Sequence, residues 1–153
     1  MENPNLFKFD ATVVSIDGYV MTITLDRPEK KNAINEIMAN EIIYALKYAT
    51  KNNQIRVVII QANGDTFCSG GDLKGMSGKQ QQSSSTVPKL GDIEDVSLLL
   101  RNLNKPVIVK IQGNVFAGAL MIVANATHAI SSVCAKFAAP EIKRGIWPFM
   151  VMA

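Results

Sequence analysis

A chain of 153 residues that is 48% hydrophobic is long enough for one domain with a real core. The net charge of +3 is mild and the basic residues are dispersed, which argues against a nucleic-acid partner and suits an anionic small molecule. The longest apolar runs, such as Leu120 to Ala124, are far too short to span a bilayer, so no membrane partner is expected.

Cys68 and Cys134 stand in no metal-binding spacing and read as reduced thiols, as expected of a cytoplasmic protein. Met1 to Asp10 has neither the basic start nor the apolar stretch of a signal peptide. A single histidine, His128, excludes a multi-histidine metal site, and no metal is expected.

Along the chain, Thr12 to Ile16 and Tyr19 to Leu25 read as strands joined at Asp17-Gly18, a hairpin turn signal. Met21, Ile23 and Leu25 alternate with Val20, Thr22 and Thr24, so the hairpin is expected to be half-buried. Pro28 closes this region. Asn35 is placed to cap a helix from Glu36 to Thr50, whose apolar face is Met38, Ile42, Ala45, Leu46 and Ala49. Val57 to Gln61 reads as a buried strand, and the Gln- and Ser-rich stretch from Gly78 to Lys89 as a loop.

A helix from Asp92 to Leu103 carries Ile93, Val96, Leu100 and Leu103 at helical spacing, and Pro106 separates it from a strand at Val107 to Ile111. Gly118 to Ala126 is apolar all round, the pattern of a central buried helix. Short strands around His128 to Ser132 and Ala135 to Ala138 precede Pro140. Strands and helices alternate, so the fold class is α/β.

Two turns stand out. Phe67-Cys68-Ser69-Gly70-Gly71-Asp72-Leu73 follows the first buried strand, and Gly113-Asn114-Val115-Phe116-Ala117-Gly118-Ala119 follows the later one. Each passes through small residues into what reads as a helix start. Small residues there let a ligand approach bare backbone, and the first amides of a helix have no partner inside it. Two such turns facing one another would aim two N–H donors at a single oxygen, which is an oxyanion hole. Ser69 is no acyl nucleophile, because Cys68-Ser69-Gly70 lacks the Gly-x-Ser-x-Gly elbow. Asp72 reads as a residue stabilising the turn, and Cys68 as a buried packing thiol.

Asp26-Arg27-Pro28-Glu29-Lys30-Lys31-Asn32-Ala33-Ile34, then Phe67 to Lys74, then Lys105-Pro106-Val107, and then Pro140-Glu141-Ile142-Lys143-Arg144-Gly145-Ile146 occur in that order. With these blocks the chain resembles the crotonase (enoyl-CoA hydratase/isomerase) superfamily from about Val13 to Pro148. The resemblance implies a spiral of repeated β-β-α units as a single core domain over residues 1–153. It also implies that the family's C-terminal helical region is absent, so that the apolar end Trp147 to Ala153 is either cut or buried against a partner.

Carried over by position, the resemblance places the oxyanion donors on the backbone N–H groups of Gly71 and Gly118 and the catalytic acid/base on Glu141. It places coenzyme A contacts at or beside Lys30, Lys31, Ser69, Gly71 and Lys74. The coenzyme A thioester enters as substrate, with no resident cofactor, and the assembly implied is a homotrimer or hexamer.

One position departs from the pattern. Three residues after Gly118, the family's hydratases carry a second glutamate where this chain has Met121, and Ala117 to Ala129 contains no acid at all. Asn125, one turn later, could orient a water but is no useful base. This favours single-carboxylate isomerisation over hydration. The alternative is a non-catalytic member that binds coenzyme A thioesters or acts as a scaffold.

Overall fold

A computed structural model describes residues 1–72, 83–145 and 147–148. Two strands, β1 (Thr12–Asp17) and β2 (Val20–Leu25), form the antiparallel hairpin, with Gly18 at φ 54 in its turn. Helix α1 (Glu36–Lys51) follows, and the Asn35 side chain accepts from the Met38 amide at 2.9 Å, as the cap reading requires. Then come β3 (Val57–Ala62), β4 (Thr66–Cys68), α2 (Ile93–Asn102), β5 (Val107–Ile111), β6 (Asn114–Phe116), α3 (Leu120–Ala124), β7 (His128–Ser131) and β8 (Phe137–Ala138). At the start of α2, Asp92 and Asp95 form a reciprocal capping box.

The strands divide between two sheets. One has the order β1-β2-β3-β5-β7, parallel from β2 onward; the other is β4-β6-β8, parallel throughout. Each strand of the larger sheet from β3 onward is followed directly by a strand of the smaller one. The chain therefore winds as β3-β4-α2, β5-β6-α3 and β7-β8, a spiral of β-β-α units. The α/β class holds.

Met21, Ile23 and Leu25 of β2 and Val58 and Ile60 of β3 face Met38, Ile42, Leu46 and Ala49 of α1 in one buried core. Glu41, also on α1 and fully buried, accepts from the amides of Asp10 (2.7 Å) and Ala11 (3.0 Å) and from the Thr12 hydroxyl (2.9 Å). Those three donors satisfy a carboxylate that makes no ion pair among the described residues.

The structure departs from the sequence pattern in two places. The apolar run Gly118 to Ala126 is not one buried helix. A 3-10 turn over Ala117–Ala119 leads into α3, which ends at Ala124, an exposed residue. In addition, β4 and β6 stand where the sequence read only turns running into helices. Three residues are too few for an alternating pattern to show. Among the described residues no helix is long and apolar enough to cross a membrane.

Candidate active site

The small sheet assembles the candidate site. Its strands run parallel, with Cys68 paired to Val115 and Phe116 paired to Ala138, so all of them deliver their carboxyl ends to one edge. Gly71 follows β4, Gly118 follows β6, and Glu141 follows β8 on a 3-10 turn over Pro140–Arg144. Ligand crevices in α/β sheets lie beyond carboxyl ends for this reason: the loops that start there share one side of the sheet. The three residues, far apart in the sequence, thus all follow carboxyl ends of one small parallel sheet.

The turn around Gly71 is fixed by backbone pairing. The Ile34 amide donates to the Gly70 carbonyl at 2.8 Å, and the Asp72 amide donates to the Ile34 carbonyl at 2.8 Å. Both flanking groups face Ile34, so the Gly71 N–H between them faces the opposite way. Across from it, a methyl group at Gly70 would lie 2.7 Å from the Ala117 Cβ and 3.3 Å from the Gly118 nitrogen. Gly70 sits at φ 96, so only a glycine allows this approach.

Ala117 itself has φ 53, a left-handed conformation that costs an alanine about 1–2 kcal/mol. This unusual backbone turns the chain from β6 into the 3-10 turn and leaves Gly118 near its start, where an amide has no partner inside the turn. Among the described residues, neither the Gly71 nor the Gly118 amide donates to a protein acceptor.

Glu141 supplies the opposite polarity. Its Oε2 is buried and has no hydrogen-bond partner among the described residues. An unsatisfied buried oxygen costs roughly 1–3 kcal/mol, so each one calls for an explanation. Two open donors and one open acceptor therefore lie at the same sheet edge.

A family model described as enoyl-CoA hydratase/isomerase matches residues 15–153. The chain belongs to the enoyl-CoA hydratase/isomerase family. It is 31% identical over 144 residues to a trans-2-decenoyl-acyl-carrier-protein isomerase of Streptococcus mutans, an alignment covering 92% of this chain and 54% of that protein. It is 31% identical over 131 residues to a mevalonyl-coenzyme A hydratase of Aspergillus fumigatus, covering 84% and 47%. Among solved structures, an enoyl-CoA hydratase of Shewanella pealeana superposes with a TM-score of 0.81 at 29% identity, covering 94% of this chain and 55% of that one. The chain spans about half the length of the curated relatives it matches.

Met121, the departure from the family's hydratase pattern, is buried in α3. Asn125, the residue one turn later, is engaged within the protein. Its Nδ2 donates to the Met121 carbonyl at 2.8 Å, ending the helix, and its Oδ1 accepts from Arg101 at 3.4 Å. Both of its polar atoms are engaged in holding the end of α3.

Of the positions expected to meet coenzyme A, Lys30 and Lys31 are exposed on the loop after β2, and Ser69 donates its amide to the Lys31 carbonyl at 3.1 Å. That bond joins the basic loop to the Gly71 turn. Lys74 lies outside the described residues, as does the helix start expected after Gly71. Sequence reasoning assigned Asp72 only to its own turn. In the structure Asp72 pairs with Arg27 at 3.2 Å, across 45 positions, and the available signal was that these two residues of opposite charge both belong to the family-like blocks.

Other side chains fall away from the site's chemistry. His128 is exposed on β7, and among the described residues no cluster of His, Cys, Asp and Glu could hold a metal. Cys68 is buried, and desolvation pushes its thiol up to about 12, against which the Gly70 amide, donating to its sulfur at 3.5 Å, offers a weak opposing contact. Cys134 is exposed. A thiol reagent at neutral pH is therefore expected to modify one cysteine of the folded chain, and the second only in denaturant. Mass spectrometry of the labelled protein checks this, and modification of Cys68 under native conditions would contradict the burial.

Proposed function

We propose that the chain carries the oxyanion-binding and proton-transferring core of an enzyme that shifts a double bond in an acyl thioester. The supporting observation is the shared end of the small sheet, from which the open amides of Gly71 and Gly118 and the unpaired Oε2 of Glu141 all follow. In this reading the thioester oxygen accepts from both amides, which lowers the energy of the enolate formed when a neighbouring proton leaves. One such donor is worth about 3–4 kcal/mol of barrier. Glu141 takes the proton from C2 of a 3-enoyl thioester, the electron pair delocalises as a dienolate, and the same carboxyl returns the proton to C4. The product is the 2-enoyl thioester, with atoms and charge balanced and no group needed beyond one carboxylate.

Hydration asks for more, namely a second group to hold and deprotonate water while the first serves carbon. The buried thioether of Met121 does neither, and Asn125 is committed to α3. The names of the relatives include an isomerase on a carrier-protein thioester and a hydratase on a coenzyme A thioester, which share the activated thioester. For the coenzyme A form, Lys30, Lys31 and Lys74 would meet phosphates, and salt would weaken the attraction.

Steady-state assays of the purified protein with 3-enoyl and 2-enoyl coenzyme A thioesters test the assignment. Isomerisation is expected to exceed hydration by at least about 10²-fold, the worth of one missing acid/base group. Hydration at a rate equal to isomerisation would overturn it. Met121 also supports a second reading, a thioester-binding member without turnover. That reading predicts ligand affinity that survives Glu141→Gln and no reaction in either assay.

A further inference from the structure

The aim of the Gly71 amide depends on one bridge, Ile34 to Gly71, and the structure shows what holds that bridge. Lys31 and Asn32 both take left-handed backbone at φ 51, which folds the loop back after β2. Asn32 is fully buried, and its side chain accepts from the Arg27 amide at 2.8 Å and donates to the carbonyls of Asn63 and Thr66, each at 2.8 Å. The loop is thereby pinned to the start of β4.

Arg27 then spans the bridge itself. Its Nη1 donates to the Ala33 carbonyl at 2.5 Å, and its Nη2 meets the Asp72 carboxylate at 3.2 Å. Ala33 precedes Ile34 on one side of the bridge, and Asp72 follows Gly71 on the other. A single planar guanidinium therefore grips both chains across the pairing that orients the Gly71 N–H. Both side chains are largely shielded, at 14% and 15% exposure, so solvent screens the pair less than it would on an open surface.

We infer that Arg27 is a positioning residue whose guanidinium, holding Ala33 and Asp72 together, sets the register of the Ile34–Gly71 bridge and so the aim of the oxyanion amide. The inference rests on the proposed role of Gly71. Arginine suits the task because its fork is rigid and serves two acceptors at once, whereas a lysine ammonium on a flexible stem is a point charge that holds one geometry less firmly.

The test compares Arg27→Met, Arg27→Lys and Glu141→Gln in the purified protein with an enoyl-coenzyme A thioester. Arg27→Met is expected to lower kcat by about 10²-fold, the cost of misplacing a preorganised group by an ångström. KM is expected to stay within about threefold, because the interaction lost is one made in the transition state. The Gly71 amide cross-peak in a 15N-labelled sample is expected to move, and Arg27→Lys to recover part of kcat. A merely structural role would lower the melting temperature without separating kcat from KM.

An unchanged kcat in Arg27→Met with an unmoved Gly71 resonance, while Glu141→Gln loses turnover, overturns this inference and leaves the proposed function standing. A rise in KM with kcat intact also overturns it. Turnover retained by Glu141→Gln overturns the proposed function instead. Should Arg27→Met not fold, Arg27→Lys read against wild type gives the same decision from the kcat-to-KM split and the Gly71 resonance.

Discussion

Glu141→Gln is expected to lower kcat for double-bond migration by about 10²–10⁴-fold, the usual worth of a general acid/base. The substitution keeps the side chain's size and one carbonyl oxygen, and removes the capacity to hold a migrating proton. Thermal stability is expected to move by no more than about 1 kcal/mol, some 2–4 °C for a chain of this size. The reason is that Oε2 makes no hydrogen bond that the amide would forfeit. A neutral amide is also cheaper to bury than an unpaired carboxylate. Loss of turnover with an intact melting curve and retained thioester affinity is the pattern that identifies a base. Turnover within about threefold of wild type would remove Glu141 from the chemistry.

The second large effect concerns folding. A methyl group at Gly113 would lie 2.0 Å from the Asp65 carbonyl oxygen, 2.7 Å from its carbon and 3.2 Å from the Thr66 Cα. All three are backbone atoms, so no side chain can swing aside. Gly113 occupies the crossing where the chain leaves β5 for β6 and passes against the entry to β4. The contact that a side chain would break is adjacent to the Thr66–Asn114 pairing. Gly113→Ala is expected to destabilise by about 3 kcal/mol or more, at the upper end for overpacking. That corresponds to roughly 6–12 °C in melting temperature. Because the displaced strands carry Gly71 and Gly118, any folded fraction is expected to lose turnover as well. A variant melting within about 2 °C of wild type would show that the crossing is looser than the structure describes.

How far the sequence anticipated these features depended on their range along the chain. The hairpin at Asp17-Gly18, the Asn35 cap and the apolar face of α1 follow local rules and match the structure to within a residue or so. The glycine turns were legible as turns, because Gly70-Gly71 and Gly118 announce a backbone that a side chain would obstruct. Their convergence was not legible from residues alone. It depends on β4, β6 and β8, strands of two or three residues whose pairing is decided by the larger sheet beneath them. Only the family resemblance supplied that spiral in advance.

The overlong helix at Gly118 to Ala126 has a similar cause. Apolarity on all sides fits a buried helix, but Asn125 turns its own amide back on the Met121 carbonyl and stops α3 after five residues. The grip of Arg27 on Asp72 was out of reach of any local pattern, since 45 positions separate partners that meet only after the sheets form.

The two halves of the proposed chemistry hang on scaffolding of unequal firmness. Thr66, Phe67 and Cys68 of β4 and Val115 of β6 are buried, whereas Phe137 and Ala138 of β8 are exposed. Local opening costs least where few apolar contacts resist it. The strand beneath Glu141 is therefore the first of the small sheet to breathe, and whatever shelters that outer strand governs how long the proton carrier stays in step with the amides that grip the oxygen.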